Sequence, residues 1–301
     1  MRTAPEKIID FHTHIMPAFD DGPADCKTAA QMLVKLYEQG VTHAVSTSHF
    51  YRYDESISDF IARRDKAYSE LRSYLSAERI THIPEIIMGA EVYFTTALAN
   101  DPDLEKLCIS GTDYILIEMP YTQLTQNVTD SFRSLAACGR VRPVLAHIER
   151  YAAYAGEETL FELLDIAPAQ INCDSIMSAP SFRLASKLLK SGGIAALGSD
   201  CHNLGSRVPR FWGASRRSRR GRCSDPTTGS ASTTSGSRQT RTARRRRRRG
   251  GSPPSPSEVR TCTSNGRIPS PTRCSPPWTR IPTSPSAHRR SARTRTRTPT
   301  S

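Results

Sequence analysis

Two histidines one residue apart, His12 and His14 in IIDFHTHIMP, are the first residues of the chain that could do chemistry. Alternate residues leaving a strand end point to the same side, so such a pair can set two imidazoles on one metal ion. Alone, the spacing is more often incidental. What changes the weighing is the series that follows: His49 in AVSTSH, Glu91 in IIMGAE, Glu118 in YILIEMP, His147 in PVLAHIER, and Asp200 with His202 in ALGSDCH. Asp20 and Asp21 lie in the loop after the first pair. Taken singly, His49 could be a hydrogen-bonded or capping histidine, Glu91 and Glu118 solvated strand-end carboxylates, and Asp200 a helix cap. Their joint occurrence, each closing a successive apolar run, is what chance explains badly. His43 and His82 precede their runs and are expected at the opposite end, in structural roles.

The elements that must position these residues read as βα units around a parallel sheet. Strands are expected at Lys7–Phe11, His43–Ser48, Ile86–Ala90, Tyr114–Met119, Val144–Ile148, Gln170–Cys173 and Ile194–Ser199. Helical spacing of apolar residues covers Lys27–Gln39, ended by Gly40, and also Ser58–Leu75, Asn127–Cys138, Glu157–Leu164 and Ser181–Lys190, the last ended by Gly192 and Gly193. In a parallel barrel all the strand ends meet on one face, where the active sites of such folds sit. Nine ligand-type residues would then share one bowl.

The strings IDFHTH, FDDGP, STSH, GAEVY, LIEMP, AHIERY and SDCHN resemble the polymerase-and-histidinol-phosphatase (PHP) superfamily, and most closely its bacterial tyrosine-phosphatase branch of the CpsB and YwqE type, which regulates capsule and exopolysaccharide synthesis. The resemblance covers about residues 7 to 207. It implies a distorted (β/α)7 barrel with three divalent metal ions, usually Mn2+. The mixed imidazole and carboxylate set also suits Fe or Zn, and does not suit a thiolate-selecting metal. Carried over, His12, His14, Glu91 and Asp200 would hold the first ion; Glu91 as a bridge, Glu118 and His147 the second; Asp21, His49 and His202 the third. Arg150 and Arg207 would bind phosphate, and Tyr51 and Arg52 are candidates to orient an aromatic ring. Carboxylates at Asp21 and Glu118, where many relatives have histidine, and the HIERY string favour phosphotyrosine over histidinol phosphate, the alternative substrate in this superfamily. In this branch the target is commonly the tyrosine-rich tail of a cognate bacterial tyrosine kinase.

The net charge of +13 does not describe this domain. From Val208 onward there are 23 arginines, no lysine and two acids, whereas the first 207 residues hold 19 basic and 27 acidic residues, a net −8. The Arg/Ser/Thr/Pro-rich tail, residues 208–301, cannot bury enough apolar surface to offset its chain entropy and is expected to be disordered. It is also expected to be a product of translation out of frame, replacing the closing helices of domain 1–207. A nucleic-acid-binding role through this tail is the alternative from another class; the expectation is non-specific binding only. No apolar run reaches the length of a membrane span, so a cytoplasmic protein is expected. The eight cysteines contain no CxxC pair, which argues against structural zinc or a disulfide framework. Cys274 and Arg280 satisfy a C-x5-R spacing, but the two prolines between them lack the amides that a thiolate phosphatase loop needs.

Overall fold

A computed structural model describes residues 7–211. Beyond its first four positions the basic tail lies outside the described residues. Nine strands form where seven runs were expected, because the runs at His43–Ser48 and Ile86–Ala90 are each followed, after a break in the ladder, by a further short strand. They are β1 (Ile9–Thr13), β2 (His43–Ser46), β3 (His49–Phe50), β4 (Glu85–Met88), β5 (Glu91–Tyr93), β6 (Tyr114–Glu118), β7 (Arg142–Leu145), β8 (Ala169–Asn172) and β9 (Ile194–Gly198). All pair in parallel, β1-β2-β4 in one sheet and β3-β5-β6-β7-β8-β9 in another.

The breaks have a local cause. At Thr47–Ser48 and Gly89–Ala90 the backbone leaves the ladder: the Gly89 amide donates to Ser46 O at 2.9 Å, and the Glu91 amide is shared between Thr47 O and Ser48 O at 3.1 Å. An irregularity of this kind re-aims the residues after it. Here it pairs His49 directly with Glu91 across β3 and β5. Beyond β9 the chain runs beside β1, where the Asp200 amide donates to His12 O at 2.8 Å and the His14 amide to Cys201 O at 3.0 Å.

Strand parity produces two cores. Ala44, Ile115, Ile117 and Leu145 face the helices in the main cluster, while Val45, Tyr114, Leu116 and Val144 face the other way and pack with Phe11, Ile87, Ile109 and Ala146. Both faces of the central strands are therefore buried, as expected when helices cover a parallel sheet. β9 stays half-buried along Ile194 to Leu197, and β4 is likewise only partly buried.

The helices are α1 (Cys26–Glu38), α2 (Ile57–Ala77), α3 (Gln126–Ala137), α4 (Ala152–Ile166), α5 (Cys173–Met177) and α6 (Ala179–Ser191). Asp25 and Ser56 cap α1 and α2 by accepting from the Thr28 and Asp59 amides. Left-handed Gly192 ends α6. Three expectations need correction. Cys173 does not end a strand but begins α5, a helix too short to show a period. Ile148 lies in a 3₁₀ turn rather than in β7. The helix expected from Glu157 starts five residues earlier and breaks at Gly156, whose φ of 78° is non-helical. Among the described residues no helix is long and apolar enough to cross a membrane.

Candidate metal centre

The ligand-type residues lie at or just beyond strand boundaries, except Asp21, which lies in the loop after β1. The β1 end carries His12 and His14, both fully buried. Beyond β2 and β4, the short β3 and β5 begin with His49 and Glu91. Glu118 ends β6, sharing a face with Tyr114 and Leu116. His147 follows β7 and Asp200 follows β9, both in left-handed backbone at φ 26° and 52°. Non-glycine residues rarely adopt that conformation, and strain of this kind collects where a side chain must be aimed at a site. A close approach completes the geometry: a Cβ at Gly198 would lie 2.5 Å from His12 Cβ and 2.8 Å from Gln170 Nε2.

The polar atoms converge in a way that hydrogen bonds cannot satisfy. His12 Nε2 faces His14 Nε2 at 3.1 Å. One oxygen of Glu91 lies 3.0 Å from His12 Nε2, 3.1 Å from His14 Nε2 and 3.3 Å from His49 Nδ1. Its other oxygen lies 2.7 Å from His147 Nε2. Buried ring nitrogens of His49 and His202 have no hydrogen-bond partner, although His202 Nε2 stands 3.1 Å from Asp21 Oδ1. Lone pairs crowded around shared carboxylate oxygens, in a set of nitrogen and oxygen donors without sulfur, fit divalent cations. Four groups each have ligand atoms within 4.8 Å of one another: His14, Asp21, His49 and His202; His12, His14 and Asp200; His12, Glu91 and His147; His49, Glu91 and Glu118. All nine residues singled out from the sequence are in them. Glu118 groups with His49, and its distance to His147 Nε2 is 3.6 Å.

Electrostatics follow from burial and neighbours. Burial would raise the Glu91 carboxyl, but the surrounding His12, His14 and His147 hold it well below the carboxylate range. Glu118, also buried and beside the Glu91 charge, is pushed up to about 7. Burial lowers His147 to about 4 and His202 to about 2, which keeps both imidazoles neutral and able to ligate. For His14, burial is outweighed by Asp20, and its value rises to about 10.

Arg150 and Arg207 close on one carboxylate. Arg150 Nη2 donates to Asp200 Oδ2, and Arg207 Nη2 donates to Asp200 Oδ1 at 2.7 Å, with its Nη1 3.1 Å from Asp21 Oδ2. Tyr51 stacks on His49, ring centroids 5.5 Å apart. Arg52 is not brought to the cluster: its Nε donates to Asp101 at 2.6 Å. His43 bonds Thr42 at 2.8 Å and His82 meets the Tyr37 ring edge-on at 5.7 Å, both away from the ligands.

Sequence reasoning missed the residues that hold the ligands. Gln170 Oε1 accepts from His12 Nδ1 at 3.0 Å and from the His147 amide at 2.8 Å, and its Nε2 donates to Asn172 Oδ1 at 2.8 Å. Asn172 in turn donates to Asp200 Oδ2 at 2.9 Å. A signal existed: AQIN places two amides on alternate positions of a strand whose four residues are all buried. Buried Glu149 accepts from the Asn172 amide at 3.1 Å and from Ser175 at 2.9 Å, tying the turn that carries His147 and Arg150 to β8 and α5.

Comparison with known proteins is consistent with this geometry. The model of the family described as "Capsular polysaccharide synthesis, CpsB/CapC" matches residues 8–225. The match runs past Arg207 into the first part of the basic segment. Tyrosine-protein phosphatase CpsB of Streptococcus pneumoniae is 30% identical over 214 residues, covering 67% of this chain and 86% of the relative. Tyrosine-protein phosphatase YwqE of Bacillus subtilis is 28% identical over 206 residues, covering 66% and 79%. A solved structure from work on those two proteins, described as unique metal-dependent tyrosine phosphatases, shares the fold with a TM-score of 0.58 at 24% identity, covering 73% of this chain and 88% of that one.

Proposed function

The chain belongs to the CpsB/CapC family of capsular polysaccharide synthesis, and from that membership we propose that it is a metal-dependent protein-tyrosine phosphatase. The observation that carries the reading is the closure of two guanidinium groups, Arg150 and Arg207, on Asp200 at the edge of a crowded imidazole–carboxylate cluster. Guanidinium forks match phosphoryl oxygens bidentately, and a phosphate entering there can take over the contacts both arginines now make with carboxylates. The chemistry that divalent ions would supply beside them is an activated water and neutralisation of charge on the phosphoryl oxygens. His12, His14, Glu91 and Asp200 would hold one ion, Glu91, Glu118 and His147 a second, and Asp21, His49 and His202 a third, with Mn2+ the first candidate and Fe or Zn the others. No protein nucleophile is then required. Tyr51, stacked on His49, offers an aromatic edge to the leaving group.

In the same reading the two sheets form one distorted (β/α)7 barrel. The hydrogen bonds joining the chain after β9 to β1 support it. The substrate would be a phosphotyrosine protein of the cytoplasm, a cognate tyrosine kinase that controls polysaccharide synthesis. The test compares hydrolysis of a phosphotyrosine peptide and of histidinol phosphate, each with Mn2+ and with chelator. Metal-dependent cleavage of the peptide supports the proposal; a preference for histidinol phosphate would assign the chain to another phosphoesterase activity.

A further inference from the structure

Three tyrosines beside the cluster make a continuous aromatic surface. Tyr51 and Tyr53 sit on the turn that follows His49, closed by the Asp54 amide donating to Tyr51 O at 3.0 Å. Tyr93 ends β5, two residues beyond Glu91. The Tyr51 ring stacks on His49 at 5.5 Å and lies 5.6 Å from the rings of both Tyr53 and Tyr93. Tyr53 and Tyr93 meet edge-on at 6.3 Å. The rings therefore run without interruption from a ligand of the cluster to Tyr53, which is 69% exposed. The turn is braced on both sides, by Arg52 on Asp101 at 2.6 Å and by Arg63 on Glu55. A core tyrosine would be buried, whereas this one keeps most of its surface in solvent while its ring meets those of Tyr51 and Tyr93.

We propose that Tyr51, Tyr53 and Tyr93 form a platform for the aromatic ring of the leaving group, and that Tyr53 sets the preference for aryl over alkyl phosphates. The inference rests on the phosphatase reading above. An ester held at its phosphoryl end by the cluster and the two arginines must send its leaving group outward along the wall of the mouth, and this part of the wall is aromatic. Offset or edge contacts between rings favour an aryl group beyond simple area burial. An alkyl ester makes no such contact.

The experiment measures KM and kcat for a phosphotyrosine peptide, with Mn2+ in the buffer, in the full chain and in Tyr53→Leu and Tyr53→Phe. The inhibition constant of inorganic phosphate, which has no ring, is measured beside them. Tyr53→Leu is expected to raise KM about two- to tenfold, the range that one ring–ring contact supplies. Phosphate inhibition should not move, and Tyr53→Phe should behave as the unsubstituted chain. An unchanged KM overturns the platform, as does a phosphate constant that weakens in parallel, because either shows that Tyr53 does not read the ring. If the unsubstituted chain cleaves no phosphotyrosine peptide, the activity reading fails, and the platform with it.

Discussion

His14 Nδ1 is bonded to the Asp20 carboxylate at 2.8 Å, and this contact turns the ring so that Nε2 meets His12 and Glu91. The same Asp20 oxygen accepts the His49 amide at 3.1 Å, so one carboxylate orients two ligand-bearing segments. Carboxylates that fix ligating histidines typically contribute tenfold or more to metal affinity. Asp20→Asn is accordingly expected to weaken metal binding about 10- to 100-fold without removing any proposed ligand. Titration with Mn2+ followed by calorimetry measures this, and unaltered affinity would show that His14 is held by packing alone.

Glu91 and Arg150 should separate metal from substrate binding. Glu91→Gln removes the charge on which His12, His14, His49 and His147 converge, and both metal content and turnover should collapse. Arg150→Ala should keep its metals and raise KM about 10- to 100-fold, the worth of one charge-assisted hydrogen bond. Metal analysis of the purified variants beside steady-state kinetics distinguishes the two. Loss of metal from Arg150→Ala would reassign that residue.

Metal binding should release protons. In the metal-free chain burial lowers His14, but Asp20 outweighs it and holds the group up at about 10, while buried Glu118 is raised to about 7. The raised histidine stabilises the metal-free fold fully below its ordinary pKa, and that contribution is lost as pH rises through about 10. An ion needs neutral His14 and ionised Glu118, so binding at neutral pH displaces a proton from the first and part of one from the second. Affinity for Mn2+ is expected to rise from about pH 6 to about pH 8. Calorimetry in buffers of different ionisation enthalpy reads the release directly, and a binding enthalpy at neutral pH that is the same in every buffer would count against these protonation states.

Gly198→Ala tests the close approach of β9 to β1. The added methyl would sit 2.5 Å from His12 Cβ and 2.8 Å from Gln170 Nε2, so strand or side chains must shift. A cost of about 1–3 kcal/mol is expected, together with weaker metal retention as His12 moves. Thermal unfolding with and without Mn2+ checks both effects. A variant that melts like the unsubstituted chain would mean that the strands separate easily there.

Residue type and order settled more of the centre than of its supports. A histidine or carboxylate closing nearly every apolar run is a one-dimensional pattern, so His12, His14, His49, Glu91, Glu118, His147, Asp200 and His202 were legible without coordinates, and parallel strands bring such ends together. Helices with a clear apolar period were legible for the same reason, while α5, with five residues, shows no period to read. Strand breaks at Thr47 and Gly89 were not legible, because they arise from which neighbouring carbonyl each amide finds. Nor was the fate of Arg52, whose partner Asp101 is 49 residues away in sequence. Gln170, Asn172 and Asp20 act through hydrogen bonds to residues on other strands or turns, and only folding decides which long-range partner a polar side chain meets. The sequence by itself thus determined which groups could hold metal; the tertiary structure decided how they are aimed, because aim depends on contacts between segments that sequence order does not bring together.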